Sequence, residues 1–102
     1  MKPEFVAIDF ELANNNRASA IEIGLCRANN SKVRETFSSL IKPPQGYDEF
    51  LPRHVKIHGI TPPSVKGAPS WEEIWPDVAN FIGDLPLVAH NASFDVSVLR
   101  AV

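Results

Sequence analysis

A chain of 102 residues, 44% of them hydrophobic, accommodates one small domain with its own core and no more. A formal charge of −2 excludes a generally basic nucleic-acid-binding surface, and no apolar run is long enough to span a bilayer. The single cysteine, Cys26, excludes an internal disulfide and a cysteine-based zinc cage. Met1-Lys2-Pro3-Glu4 leaves no room for a signal peptide, so the expectation is a soluble cytoplasmic protein.

Phe5 to Phe10 reads as a short buried strand, yet Asp9 and Glu11 stand two residues apart at its end. Alternation puts these two acids on one face and Ile8 and Phe10 on the other. Two acids side by side in an apolar strand repel each other and are costly to bury unpaired, and a divalent ion removes both penalties. Leu12 to Ala18 is a polar turn. Ser19 to Arg27 alternates again, with Ile21, Ile23 and Leu25 on one face and Glu22, Gly24 and Cys26 on the other. Asn29-Asn30-Ser31 signals a turn. Val33 to Ile41 forms a third strand in which Val33, Phe37 and Ile41 share a face, so the first three strands predict an antiparallel meander.

Pro43 and Pro44 end the sheet. Beyond them, Arg53 to His58 reads as a short helix opened by Pro52 and stopped by Gly59. Ser70 to Gly83 is the clearest helix. Ser70 and Glu73 fit a capping box, and Trp71, Ile74, Trp75, Val78, Phe81 and Ile82 form one apolar stripe. Pro76 inside it predicts a kink. Pro86 to Ala89 is a short apolar run read as a central strand, and His90-Asn91-Ala92-Ser93 leads into a helix from about Phe94. If that strand lies beside the first, Asp95 approaches Asp9 and Glu11. Three carboxylates converging without a basic partner suit Mg²⁺ or Mn²⁺ and the chemistry of phosphodiester cleavage.

Phe5-Val6-Ala7-Ile8-Asp9-Phe10-Glu11, then His58-Gly59-Ile60-Thr61, then His90-Asn91-Ala92-Ser93-Phe94-Asp95 resemble, in order and spacing, the motifs of the DnaQ-like, or DEDDh, 3′–5′ exonucleases. That family includes the proofreading epsilon subunit of bacterial DNA polymerase III. The resemblance implies an α/β, ribonuclease H-like mixed sheet: three antiparallel strands, a fourth parallel to the first, flanking helices, and a fifth strand that this sequence stops short of. It implies that Asp9 bridges two metal ions, Glu11 ligates the first and Asp95 the second. It further implies substrate contacts from the backbone of Leu12 and Ala13 and from His58, Asn91 and Phe94. Where family members carry Thr after the Glu, this chain has Leu12.

The family's third motif, H-x-A-x-x-D, supplies a general-base His and a fourth carboxylate downstream of the second motif, and it does not follow Asp95 in these residues. Residues 1–102 therefore read as the N-terminal part of one exonuclease domain, with little or no nuclease activity alone. The implied function is 3′–5′ exonuclease action on single-stranded DNA or frayed 3′ ends. An exoribonuclease stands as the alternative within the class. A non-catalytic or degenerate module that binds metal, nucleic acid or protein stands as the alternative outside it. A DNA polymerase or replication complex is the implied partner. Self-association is a second possibility, through surface left uncovered at Trp71, Trp75, Val98 or Val102. Taken singly, Asp9 also reads as a buried acid paired with Arg17 or Arg27, Glu11 as a solvated strand end, and Phe94 as core. His58 and Asn91 also read as helix caps, and His90 as a residue that orients its loop. The Lys and Arg residues are scattered, and none is assigned to nucleic acid.

Overall fold

The computed structural model describes residues 4–29 and 32–102. Among them are the strands β1 (Glu4–Leu12), β2 (Ala20–Asn29), β3 (Val33–Leu40) and β4 (Leu87–Val88), and the helices α1 (Pro52–His58), α2 (Pro62–Val65), α3 (Trp71–Ile82) and α4 (Ala92–Ala101). The strands form one sheet in the order β3-β2-β1-β4. The first three make the predicted antiparallel meander, and β4 runs parallel to β1, with Val6 opposite Leu87 and Ala7 opposite Val88. The run expected as a central strand is thus an edge among the described residues, and Leu87 and Val88 are exposed.

Alternation in β1 sorts its two faces. Val6, Ile8, Phe10 and Leu12 are buried, whereas Asp9 is exposed and Ala7 and Glu11 partly so. The strand expected to be buried is therefore covered on one face only, and the cost of burying an unpaired acid does not fall on Asp9. Ile23 and Leu25 of β2 join the β1 core, which is closed by Ile74 and Val78 of α3 and Val98 of α4. Each such side chain contributes about 1.5–3 kcal/mol. Phe10 packs against the Trp71 ring at 5.9 Å between centroids. A second cluster forms where Ile21 meets Ala13 and Val65. The opposite sheet face is an open groove lined by small side chains such as Ala7, Gly24, Cys26 and Ser38, together with Asp9 and His90.

Local chemistry explains the helices. Pro52 opens α1, and Gly59 ends it at φ 74°, with its N–H donating to the Val55 carbonyl at 2.7 Å. The sequence reading misses α2 because Pro62-Pro63 looks like a breaker. In a first turn, however, the missing N–H groups are not needed. In α3 the capping box is present. Ser70 Oγ accepts the Glu73 N–H at 3.3 Å, and Glu73 Oε1 accepts the Ser70 N–H at 2.9 Å. Those two bonds hold the Glu73 carboxyl below the usual carboxylate range. Ser70→Ala is expected to cost about 1 kcal/mol, lowering the melting temperature by about 4–8 °C in a thermal denaturation. The helix runs uninterrupted through Pro76, whose missing N–H would have met the exposed first-turn carbonyl of Glu72.

One expectation about a strand face fails, and one about exposure holds only in part. Val33 leaves the face predicted for it with Phe37 and Ile41: a register irregularity at the outer end of β3 pairs it with Ala28, on the other face of β2 from the Leu25 that Phe37 meets, and it is 58% exposed. Val98 is fully buried, and of the side chains expected at an uncovered surface Trp75 is the exposed one, at 45%. Asn30 and Ser31 of the predicted turn lie outside the described residues. No helix among those residues is long and apolar enough to cross a membrane.

Candidate active site

The N–H of Val6 donates to the Pro86 carbonyl at 2.9 Å, on the β4 side of β1. Phe10 has the same parity, so its N–H points to the same edge. β4 has ended by then, and Asp95 takes the strand's place: its Oδ1 accepts the Phe10 N–H at 3.2 Å in a buried bond. Asp95 lies in the first turn of α4, where the helix dipole favours an acid. Asn91 caps that helix through Oδ1, which accepts the Phe94 N–H at 3.4 Å. Asp95 is therefore anchored to the residue between Asp9 and Glu11, beyond the carboxyl end of a parallel strand pair.

The three acids feel one another. Burial, first, and the negative charge of Asp9, second, push the Asp95 carboxyl above its usual range against the pull of the Phe10 N–H. Burial also leads in raising Glu11, followed by Asp9, with Glu22 and Asp95 adding to it and His58 opposing. Glu22 acts because it sits directly across from Glu11 on β2. The alternative pairings of Asp9 are not made. Arg27 pairs with Glu35 and donates to the Phe81 carbonyl, and Arg17 turns to α4.

An all-carboxylate donor set, in which burial and the charge of Asp9 raise Glu11 and Asp95, has the chemistry of a hard divalent-cation site. The expectation that the three converge on one point needs correction, however. Among the described residues no three His, Cys, Asp or Glu side chains stand close enough to hold one ion. One Asp95 oxygen is committed to Phe10, and like charges oppose closer approach. The structure thus brings Asp9, Glu11 and Asp95 into one neighbourhood without preforming a three-ligand cage.

A cleft of about 110 Å³ opens beside Glu11, lined by Leu12, Arg17, His54, Ile57, His58 and Phe94. His58 faces inward from α1. Its Nδ1 accepts the Ile60 N–H at 3.0 Å, so its Nε2–H donates to the Leu12 carbonyl, also at 3.0 Å. Both nitrogens are therefore occupied in tying α1 to the end of β1. Leu12 lines the cleft, but Ala13 lies in the core, its N–H bound to Ser19 and its carbonyl to Leu51. Asn91 is exposed, and Phe94 is half-buried beneath Arg17. His90 is exposed on the groove it shares with Asp9.

The polar turn proves to be a scaffold. Asn14 Nδ2 donates to the carbonyls of Tyr47 and Glu49, at 3.1 and 2.7 Å, and Asn15 Oδ1 meets His54 Nε2 at 2.9 Å. Asn16 Oδ1 accepts the Ala18 N–H, and the buried Ser19 hydroxyl donates to the Asn16 carbonyl. The run Asn14-Asn15-Asn16 was the available signal, since Asn side chains bond local backbone in turns.

The family model for exonucleases matches residues 6–102. The chain belongs to the exonuclease family. Among its relatives, this exonuclease-family chain is 36% identical over 103 residues to the PolC-type DNA polymerase III of Caldanaerobacter subterraneus, covering 99% of the chain and 7% of the relative. It is 32% identical over 99 residues to the DNA polymerase III epsilon subunit of Aquifex aeolicus, covering 94% of the chain and 47% of the relative. The chain thus spans less than half the length of either. It superposes on exonuclease X, solved in complex with 5′ overhanging duplex DNA, with a TM-score of 0.77 at 30% identity, covering 92% of this chain and 52% of that one. The fold of this family member is ribonuclease H-like.

Proposed function

We propose that these residues are the metal-binding part of a 3′–5′ exonuclease site acting on single-stranded nucleic acid. The observation that carries the reading is the bond from the Phe10 N–H to Asp95, which seats the acid of the second motif on the strand of the first. Asp9, Glu11 and Asp95 would hold two Mg²⁺ or Mn²⁺ ions. Bound there, the ions would supply an activated water and stabilise the leaving oxygen. Leu12, His58 and Phe94 would border the terminal nucleotide, with Asn91 at the helix entrance above it. His58 acts as a wall and not as the base, because both its nitrogens are engaged.

With His58 engaged and no H-x-A-x-x-D pattern after Asp95 in these residues, they bind a 3′ end but release little or no mononucleotide. DNA is the proposed substrate because the relatives are DNA polymerase III chains, and a cytoplasmic replication complex is the corresponding partner. The test uses a 5′-labelled single strand in Mn²⁺ buffer, with a 3′-phosphorylated strand and a matched RNA alongside. Binding that favours the free 3′ end without shortening it is expected. Equal binding of blocked and free ends overturns the polarity, and rapid metal-dependent shortening overturns the inactivity. Preference for the RNA makes the substrate a ribonucleotide chain.

A further inference from the structure

The acidic centre leaves a problem that one side chain answers. A phosphodiester strand brings negative charge to a chain that is already net negative and whose active-site acids repel one another. The divalent ions proposed above would offset those acids at the scissile phosphate, but the neighbouring phosphates of the strand need a cation of their own, and sequence reading assigns no basic residue to them. Arg17 lies on the wall of the cleft that Glu11, His58 and Phe94 also line. Its Nε–H donates to Ser97 Oγ at 3.0 Å, and Ser97 in turn donates to the Phe94 carbonyl at 2.6 Å. The guanidinium carbon rests 4.8 Å from the centroid of the Phe94 ring. These two contacts fix the plane of an exposed guanidinium. Its terminal amino groups have no hydrogen-bond or ion-pair partner among the described residues, where the one ion pair is Arg27 with Glu35.

A planar guanidinium with its outer edge free, held by one hydrogen bond and one aromatic face, is prepared for a bidentate phosphate contact, with much of its ordering cost already met. We infer that Arg17 is the phosphate-binding residue of this site: it grips a backbone phosphodiester of the bound strand and holds the strand against the acidic centre. The inference rests on the nucleic-acid reading above. It also revises the part of Phe94, one face of which is covered by Arg17. Phe94 positions the cation, and a base has only its other face.

A structural tie between the β1–β2 turn and α4 would use the same two contacts, so the test must read charge and not stability. The full chain is titrated with a fluorescein-labelled single-stranded oligonucleotide across a series of salt concentrations in Mn²⁺ buffer. One lost phosphate contact makes the slope of log affinity against log salt shallower by about 0.7 on single strands. Arg17→Gln is expected to show that change with several-fold weaker binding at low salt. Arg17→Lys is expected to keep the slope and still bind less tightly, having lost the fork and the stack. An unchanged slope in Arg17→Gln overturns the assignment while leaving the exonuclease reading intact. No binding by the wild-type chain overturns both. Phenylglyoxal modification of the wild-type chain, read by mass spectrometry, decides the matter independently of how the variants fold. The oligonucleotide should slow modification at Arg17 and not at the exposed Arg34, and equal rates with and without it overturn the assignment.

Discussion

Asp9→Ala is expected to abolish the rise in melting temperature that Mn²⁺ gives the wild-type chain. A ligand that binds only the folded state at a hundred times its dissociation constant stabilises by about 2.7 kcal/mol, equivalent to roughly 10–20 °C for a domain of this size. Asp9 is the right residue to remove because it is the one acid that acts on both of the others, raising Glu11 and Asp95 alike. It is also exposed. Its loss opens no cavity and relieves its repulsion of Glu11 and Asp95, so the metal-free chain should be no less stable than wild type. The variant therefore separates metal binding from folding. Asp77→Ala, on exposed α3 surface, should keep the full Mn²⁺ response. If Asp9→Ala responds as the wild type does, the carboxylates are not the metal site and the proposed mechanism fails with them.

What could be read from the chain follows from how local each signal is. The parity of Asp9 and Glu11, the capping box at Ser70 and Glu73, and the Pro52–Gly59 brackets of α1 each depend on a few neighbouring residues, and each stands in the structure. The approach of Asp95 to β1 was legible through a second step, because placing the 86–89 run parallel to β1 carries the start of α4 over the strand's end. Features that depend on distant partners were not legible. Nothing near Arg17 in sequence announces Phe94 and Ser97, some 80 positions on, and nothing near Asn15 announces His54. The same limit explains the overstated convergence of the carboxylates. Sequence order puts three acids at one end of the sheet, but it cannot say that a backbone N–H already holds one of them. It also explains the exposure of Asp9, since alternation tells which side chains share a face but not which face is covered.

Asp95→Asn is expected to act in opposite directions with and without metal. In chelating buffer the substitution should stabilise the chain at neutral pH. The carboxyl of Asp95 is pushed above its ordinary value, so the folded state holds its proton more tightly than the unfolded chain does. Below the unfolded value both states are protonated and the acid carries no penalty. As pH rises from there through the folded value, the unfolded chain releases its proton first and stability falls. Above that window the penalty is constant. The gain in melting temperature of Asp95→Asn over wild type should therefore be near zero at about pH 3, grow with pH and level off towards neutrality. It should amount to about 4–8 °C for each kcal/mol of burial cost and repulsion relieved. The amide oxygen can still accept the Phe10 N–H, so the anchor between α4 and β1 survives and charge alone is tested. In Mn²⁺ the order should reverse, because an amide is a poorer ligand for a hard cation than a carboxylate. A difference that is flat with pH would show that Asp95 sits there as an ordinary helix-start acid. A side chain that weakens the metal-free fold and strengthens the loaded one is held in place by the site's chemistry and not by stability.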